Sequence, residues 1–470
     1  MDKLIEILQR KFGYSSFREG QEEIIQQVLK GRDVVAILPT GMGKSLLFQL
    51  PAYLMEGTVV IVSPLLSLMQ DQVEQLKMLG EKRVVAINSF LDFEQKEFVL
   101  QNLQAYKFIF TSPEMLQNER FKKALSNIEI AYIVADEAHC ISQWGFDFRP
   151  DYLRISTWLK TYPNLRVLAL TATATKKVIQ DIKRTLHMKD PYEFIHSLDR
   201  PSIAYEVQEL ENTQEKLAWI LGRILATNGP GILYTQSRKK TEFYAEELRN
   251  RGVRVAFYHA KMEQEDRVLI QQQFQQGELE WICATNAFGM GIHKNNIRQI
   301  IHDHIPTSMA SYMQEIGRAA RDGEQSIASL VFTNSDVEQA FYVAMQDFPQ
   351  EDDIKLVYQS EDKEIQLPET TFRILNYWKE ILTEQETTKL FNDIKAKKWT
   401  EIQQLFNLFR NEQCIREQLL NNFDEQLKER PVNCCSVCSF DLHRVLTKRI
   451  EQDEERKQLN WKNRLNELLP

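Results

Sequence analysis

Short, unbroken runs of apolar residues alternate with amphipathic segments through two long stretches of the chain. Runs of four to six residues without polar alternation are typical of parallel strands covered on both faces. The first stretch predicts strands at Val34–Leu38, Val59–Ser63, Val84–Ile87, Phe108–Ser112, Tyr132–Ala135 and Val167–Thr171. The second predicts strands at Gly231–Tyr234, Val253–Tyr258, Trp281–Ala284, Gln299–His302 and Ala328–Phe332. Strands separated by helical segments indicate βαβ units, so we expect two α/β domains in tandem.

The strand pattern stops after about Asn334. Gln346–Glu369 is acidic and predicts a loop or spacer, whereas Thr371–Lys428 has apolar residues at helical spacing. A linker is predicted at Ser197–Ser202, because proline disfavours helix in the residue before it. We therefore expect α/β domains over 1–198 and 199–336, a helical, cysteine-rich region over 337–440, and a charged amphipathic tail over 441–470.

Composition excludes several classes of protein. With 470 residues, 43% of them hydrophobic, the chain can bury several cores and is not disordered as a whole. The net charge of −8 excludes a histone-like polycation, although a local groove can still be positive. No apolar run approaches about 18 residues, and the amino terminus lacks the basic-then-apolar pattern of a signal peptide. We expect a cytoplasmic protein without a membrane segment.

A glycine-bearing turn, Pro39–Ser45, follows the first predicted strand and precedes a helical pattern. The N–H groups of such a turn and the dipole of the helix attract an anion. We expect Lys44 to meet the β- and γ-phosphates of a nucleotide and the Ser45 hydroxyl to bind Mg²⁺. Leu38 stands where the first glycine of the usual phosphate-loop pattern would be. The predicted nucleotide-binding residues of this turn are Thr40, Gly41, Met42, Gly43, Lys44 and Ser45.

Two further groups could act on the same nucleotide. Asp136 and Glu137 follow a predicted strand, at the sheet edge where ligands of open α/β folds bind. Asp136 suits a contact to Mg²⁺ and Glu137 suits a base that orients the attacking water. Arg318 and Arg321 are three residues apart and would share one face of a helix. They could act as arginine fingers from the second domain, whereas in isolation they would indicate only an exposed, salt-bridged helix.

Together these motifs resemble the superfamily 2 helicases, and within them the RecQ family of DNA helicases. The resemblance covers about the first 335 residues and the cysteine cluster, and its further stretches are Phe12–Gln21, Ser63–Met69, Thr111–Glu114, Cys140–Pro150, Leu170–Thr175 and Ala284–Gly291. It implies two tandem RecA-like P-loop domains, with parallel sheets and helices on both faces, followed by a helical zinc-binding subdomain. It implies ATP and Mg²⁺ as cofactors and a catalytic set of Lys44, Asp136, Glu137, Gln314, Arg318 and Arg321.

The resemblance also assigns residues around the nucleotide. Tyr14, Arg18 and Gln21 should form the adenine pocket, with Gln21 reading the edge of the base. Gly289 and Gly291 would lie at the cleft between the domains. The residues that couple hydrolysis to strand movement would be His139, Thr171 and Thr173.

The aromatic-rich segment that follows the Asp136–His139 box is the most diagnostic part of the resemblance. Aromatic faces stack on unpaired bases, each worth roughly 1–3 kcal/mol. In the family this loop senses single-stranded DNA, and here it contains Trp144, Phe146, Phe148 and Arg149. Further contacts to the DNA backbone are expected from Ser63, Thr111, Ser112, Ser237, Arg238, His259, Thr285 and Asn286.

Four cysteines, Cys414, Cys434, Cys435 and Cys438, could bind structural zinc through their thiolates. The family carries a zinc subdomain at this place. Adjacent ligands such as Cys434 and Cys435 are sterically awkward, so one of them could be a bystander, leaving three thiolates or a site completed by His443. Cys140 and Cys283 lie in or beside predicted strands, which favours core packing.

The resemblance implies an ATP-dependent DNA helicase that moves 3′ to 5′ on single-stranded DNA, unwinds duplex DNA and serves recombination or repair. Its partners would be single-stranded and duplex DNA, with single-strand-binding or recombination proteins beside them, and a monomer is favoured. About thirty residues follow Cys438, too few for the family's winged helix and further helical module, so we expect a short form. The alternatives are a DNA-stimulated ATPase, translocase or strand-annealing protein without robust unwinding, and an RNA helicase.

Overall fold

The computed structural model describes residues 2–64, 66–88, 91–142, 150–289, 294–346, 348–360, 367–447 and 449. Within these residues the chain forms two parallel β-sheets in tandem, each covered by helices, and a helical region that ends beside a cysteine cluster. The predicted architecture is confirmed. None of the described helices combines the length and the apolar character needed to cross a bilayer.

Seven parallel strands of the described chain form the first sheet, in the order β3-β4-β2-β5-β6-β1-β7. These strands are β1 (Val34–Ile37), β2 (Thr58–Val62), β3 (Val84–Ile87), β4 (Phe108–Thr111), β5 (Ile130–Ala135), β6 (Val167–Thr171) and β7 (Tyr192–Ile195). The helices are α1 (Asp2–Ile7), α2 (Gln21–Leu29), α3 (Lys44–Ala52), α4 (Leu66–Met78), α5 (Phe93–Gln101), α6 (Glu119–Leu125), α7 (Pro150–Leu159) and α8 (Lys176–Thr185).

Both faces of this sheet are buried, which explains the unbroken apolar runs. In β1, Val34 and Ala36 belong to one core with α2 and α3, whereas Val35 and Ile37 belong to a second core with α7 and α8. Since successive side chains point to opposite faces, each residue of the strand must be apolar. Because β1, β6 and β5 are neighbours, their carboxyl ends meet at one edge.

The second sheet has six parallel strands among the described residues, in the order β10-β11-β9-β12-β13-β8. They are β8 (Ile203–Glu209), β9 (Gly231–Tyr234), β10 (Val255–Tyr258), β11 (Trp281–Ala284), β12 (Gln299–His302) and β13 (Ser326–Phe332). The helices are α9 (Thr213–Ala226), α10 (Arg238–Arg249), α11 (Gln264–Gln276), α12 (Met309–Ile316) and α13 (Asp336–Met345). Residues 196–202 connect the two sheets without forming a strand or a helix.

All predicted strands are observed, with ends that shift by at most two residues, but β7 and β8 were not predicted. Both lie at the edge of their sheet. In β7, Glu193 and Ile195 are exposed while Tyr192 and Phe194 are half-buried. An edge strand covered on one face has no unbroken apolar run, so its pattern resembles that of a loop.

The prediction of a loop or spacer over Gln346–Glu369 is wrong in part, since α14 (Glu351–Gln359) lies within it. Its acidic residues occupy the first helical turn, where carboxylates favour the positive end of the helix dipole. Ile354 and Val357 are buried in a small core with Leu375 and Trp378. The remaining helices are α15 (Glu369–Lys379), α16 (Glu384–Arg410), α17 (Ile415–Asn421) and α18 (Leu442–Val445).

Candidate nucleotide site and nucleic-acid interface

The phosphate loop lies between β1 and α3, as expected from the sequence. Gly41 and Gly43 have φ angles of 90° and 76°, a left-handed backbone that glycine adopts without steric cost. Gly43 caps the amino terminus of α3, so Lys44 and Ser45 begin the helix. Lys44 Nζ lies 3.5 Å from Glu137 Oε1, which brings the loop and the acidic pair together.

The acidic pair follows β5 directly. Glu137 has a left-handed backbone, with φ at 48°, so the chain turns sharply after the strand. Burial raises the pKa of Asp136 to about 7, the neighbouring Glu137 adds to the shift, and Lys44 opposes it. Two carboxylates that crowd one another in a buried place favour a divalent cation. The donor set of Asp136 with the Ser45 hydroxyl therefore fits Mg²⁺.

The predicted coupling residues form a chain of contacts that starts at the acidic pair. His139 Nδ1 lies 3.4 Å from Glu137 Oε2 and 2.8 Å from Thr171 Oγ1. The Thr171 hydroxyl in turn donates to the backbone oxygen of Thr173 at 3.2 Å. All three residues are buried, so the chain of contacts is shielded from solvent.

Residues of the second domain lie against the phosphate loop of the first. A Cβ atom added at Gly41 would lie 2.9 Å from Arg321 Cδ, and one at Gly317 would lie 2.9 Å from Thr40 Oγ1. Gln314 lines a cavity of about 20 Å³ together with Thr40. The structure thus brings together the phosphate loop and the predicted catalytic residues of the second domain.

The prediction that Arg318 and Arg321 share a helix face is wrong. Helix α12 ends at Ile316, and both arginines lie in the turn that follows. Arg318 donates from Nη1 to the backbone oxygen of Gly289 in the same domain. Ala320, which lies between the two arginines, has a left-handed backbone with φ at 53°, so the segment is not helical there.

The electrostatics of this cleft favour a polyanion. Burial lowers the pKa of Arg321 to about 9, and the nearby guanidinium groups of Arg318, Arg200 and Arg18 push it in the same direction. Like charges held this close repel one another, and a triphosphate would relieve the repulsion. The cleft is therefore cationic although the whole chain is acidic.

Two of the predicted adenine-binding residues, Arg18 and Gln21, contact the phosphate loop. Gln21 donates from Nε2 to the Met42 backbone oxygen at 2.8 Å and accepts from the Arg18 backbone N–H at 2.9 Å. Arg18 also donates to the backbone oxygen of Gly41. Tyr14 is 57% exposed, so its ring is available for stacking. The Gln21 amide is thus hydrogen-bonded to the phosphate loop in this structure and is not free to bond to the edge of a base.

The predicted DNA-contacting residues that the structure describes lie at the carboxyl edges of the two sheets, but they differ in exposure. Ser63 and Thr111 are 1% and 0% exposed, and Ser112 is also buried. His259 is buried and lies 3.0 Å from Glu242 Oε1. Four residues of the second domain are exposed or half-buried and can meet a polymer directly: Ser237, Arg238, Thr285 and Asn286.

Trp144, Phe146, Phe148, Arg149 and Gly291 lie outside the described residues. Of the residues beside the aromatic segment, Ser142 is bonded to α8 and Tyr152 is bonded to the acidic pair. Ser142 donates to Asp181 Oδ2 at 2.6 Å, and the Tyr152 hydroxyl donates to the Asp136 backbone oxygen at 2.7 Å. Tyr152 was not predicted from the sequence, because a tyrosine in an amphipathic helix indicates only core packing.

The four cysteines converge on one point. Their sulfur atoms all lie within 4.8 Å of one another, and Cys414 and Cys434 are 3.6 Å apart. Tetrahedral zinc with bonds of about 2.3 Å requires sulfurs about 3.8 Å apart, so the set fits the ion. Both Cys434 and Cys435 belong to the cluster, so either of them could bind the ion, and His443 is exposed. Cys140 and Cys283 are buried in the cores.

Comparisons with known proteins agree with this geometry. Residues 18–182 match the DEAD/DEAH box helicase family, and residues 215–323 match the helicase conserved C-terminal domain family. Over 461 residues the chain is 41% identical to the probable ATP-dependent DNA helicase RecS of Bacillus subtilis. The match covers 94% of this chain and 93% of that protein. It is 42% identical to the ATP-dependent DNA helicase RecQ of Haemophilus influenzae over 71% of this chain and 54% of that one, about half the relative's length.

Solved structures share the fold. The DEAD-box helicase Mss116 bound to ssRNA and UDP-BeF has a TM-score of 0.58 at 19% identity, over 86% of this chain and 90% of that one. The DUF1998 helicase MrfA bound to DNA has a TM-score of 0.59 at 18% identity, over 74% of this chain and 53% of that one. At such identities the likeness shows the fold alone, that of two tandem RecA-like domains.

Proposed function

We propose how this chain works from one premise: it belongs to the RecQ family of ATP-dependent DNA helicases. The resemblance predicted from the motifs is thereby confirmed. We propose that the chain hydrolyses ATP in the cleft between its two sheets, moves 3′ to 5′ along single-stranded DNA and separates duplex DNA. Recombination or repair would be the process it serves.

One observation carries the proposal. Arg321 and Gly317, from the second domain, lie directly against Gly41 and Thr40 of the phosphate loop. A nucleotide bound at that loop is therefore in reach of groups from both domains. Hydrolysis then depends on how the domains are placed, and a change of nucleotide becomes a change in their placement.

The residues of the cleft divide the chemistry among themselves. The loop amides and Lys44 would hold the phosphates, while Ser45 and Asp136 would hold Mg²⁺, which neutralises phosphate charge when bound. Glu137 would orient the attacking water and take its proton. Arg318 and Arg321, with Gln314 beside them, would stabilise the charge that develops on the transferred phosphoryl group.

Contact with DNA would reach the cleft through the first domain. The aromatic segment 143–149 is flanked by Ser142 and Tyr152, and Tyr152 bonds to the backbone of Asp136. We propose that bases stacked on this segment shift its flanks, and that His139 and Thr171 relay the shift to Glu137. The exposed residues at the edge of the second sheet would hold phosphates without reading sequence.

The cysteine cluster would hold structural zinc. Its four sulfurs lie within 4.8 Å of one another, and four thiolates around a tetrahedral ion would leave no position for water. Hydrogen bonding from Cys434 and from the backbone N–H of Cys438 lowers the pKa of Cys435, which favours the thiolate form that binds a metal.

The decisive experiment compares ATP hydrolysis without polymer, with single-stranded DNA and with single-stranded RNA, and then tests unwinding of a 3′-tailed duplex. We expect stimulation by DNA and strand separation, both abolished in Lys44→Ala, which retains its fold. Stimulation without strand separation would favour a translocase or annealing protein. Preferential stimulation by RNA would favour an RNA helicase, and indifference to both polymers would overturn the proposal.

A further inference from the structure

The connection between the two sheets carries an arginine that reaches the turn of Arg318 and Arg321. Arg200 is half-buried in the 196–202 linker. Its Nη2 donates to the backbone oxygens of Ala320 at 2.9 Å and Ala319 at 3.2 Å. Its Nη1 lies 3.4 Å from the backbone oxygen of Gly317. One planar guanidinium thus holds three carbonyl groups of the same turn.

One residue of that turn has an unfavourable backbone conformation. Ala320 adopts a left-handed backbone, which is sterically unfavourable for a residue with a Cβ atom. The residue lies between the two arginines, so a relaxation of its backbone would change the direction of both side chains. The Ala320 N–H donates to Ile297 O at 3.2 Å, and the Ala320 carbonyl accepts both from the Gly323 N–H at 3.1 Å and from Arg200 at 2.9 Å.

The linker that presents Arg200 is itself fixed. Arg416, fully buried, donates from Nη1 to the Arg200 backbone oxygen at 3.1 Å, and the Ile203 N–H donates to the same oxygen at 2.9 Å. The Arg416 guanidinium also pairs with Asp199, next to Arg200 in the chain. The backbone at Arg200 is therefore fixed in position, and this fixes the place from which the Arg200 side chain extends to the turn.

We propose that Arg200 is a positioning residue for ATP hydrolysis, which aims Arg318 and Arg321 by holding the backbone carbonyls of their turn. Because Arg200 belongs to the linker between the domains, the aim of the two arginines follows the placement of the domains. The inference rests on the proposed role of Arg318 and Arg321 at the phosphates. A lysine could not replace Arg200, since an ammonium is a point donor without a planar fork.

The first test is Arg200→Lys, which keeps the charge and removes the fork. We expect kcat for DNA-stimulated ATP hydrolysis to fall about tenfold or more, because displaced catalytic groups are costly. The dissociation constant of a fluorescent ATP analogue should change by less than about threefold, since the phosphate loop is intact. Arg254→Lys is the matched control. Arg254 also donates to backbone carbonyls of the second domain, those of Gly277 and Glu278. These residues are not part of the predicted nucleotide site, so the replacement should leave kcat unchanged.

The second test is a double-mutant cycle with Arg321→Ala. If Arg200 acts through Arg321, Arg200→Lys should have little further effect on kcat in the Arg321→Ala background. Multiplicative losses, or an unchanged kcat in the single Arg200→Lys variant, would overturn the inference while leaving the proposed function in place. An unchanged kcat in Arg321→Ala would instead contradict the proposed function. Thermal melting accompanies each variant, and Arg200→Gln replaces Arg200→Lys if the latter unfolds early.

Discussion

At the residue scale, the sharpest prediction concerns Glu137. It is buried between Lys44 and His139, at 3.5 Å and 3.4 Å, so it is both held by a cation and connected to the coupling residues. Glu137→Gln keeps the size of the side chain but removes the base. We expect kcat to fall about 100-fold or more, with nucleotide affinity retained, as measured by steady-state ATPase and equilibrium binding.

A control for Glu137→Gln is Glu119→Gln, which removes a carboxylate from an exposed pair with Lys122. That pair contributes little to stability and is not part of the cleft, so kcat should be unchanged. A Glu137→Gln variant whose kcat stays within about twofold of the parent would exclude Glu137 as the base.

Local chemistry was largely predictable from the sequence at this scale, whereas conformation was not. The phosphate loop follows from Gly41, Gly43 and Lys44, because few residues tolerate a left-handed backbone beside an anion. The turn after α12 could not be predicted in the same way. Nothing in the composition of Arg318–Arg321 marks Ala320 as left-handed, so a helical spacing was the natural expectation. The support from Arg200 depends on a contact across more than a hundred residues.

At the element scale, the helical region bridges the two domains. Helix α16 packs on the second domain through Phe406 against Phe332, whereas α15 contacts the first. Arg373 of α15 lies 3.2 Å from Asp151 Oδ2 and 3.4 Å from Glu114 Oε1. The sequence predicted these helices from their apolar spacing, but the docking of α15 depends on partly exposed charges, which carry no periodic signal.

Arg373→Ala tests that docking. Arg373 is partly exposed in both ion pairs, so the loss should be at most about 1 kcal/mol, or about fivefold faster opening of α15. Hydrogen exchange should therefore accelerate in α15 and α7 and stay unchanged in β9. Lys379→Ala is the matched control, because Lys379 belongs to the same helix but donates to Val357 O of α14. Faster exchange in α15 but not in α7 would contradict docking through Arg373.

At the scale of the whole molecule, the motor depends on communication between polymer and nucleotide. Trp144→Ala should leave basal ATP hydrolysis intact and abolish its stimulation by single-stranded DNA, because a stacking face is lost while the cleft is unchanged. Titration of ATPase activity with oligonucleotide measures the effect. Phe98→Ala, at an aromatic residue 64% exposed on α5, should leave stimulation unchanged. Normal stimulation of ATP hydrolysis by DNA in Trp144→Ala would show that the aromatic segment is not the sensor.

The cysteine cluster affects the whole molecule because the chain around it holds both domains. Glu425 accepts from the Leu198 N–H of the linker at 2.8 Å, and Asp424 accepts from the Lys176 N–H of α8 at 3.0 Å. Arg416, two residues after Cys414, pairs with Asp199. These contacts cross more than two hundred residues of sequence, so a cysteine pattern alone predicts a metal site but not its attachment to the linker.

Cys438→Ser should therefore lower zinc content and loosen the linker as well. We expect loss of stoichiometric zinc by metal analysis, and faster hydrogen exchange in residues 196–203, because the segment that anchors them is no longer held by the ion. Ser439→Ala, the neighbouring substitution outside the cluster, should retain both properties. Full zinc in Cys438→Ser would contradict a four-thiolate site. Lost zinc with an unchanged linker would show that the contacts of Arg416 and Glu425 hold the linker without the metal.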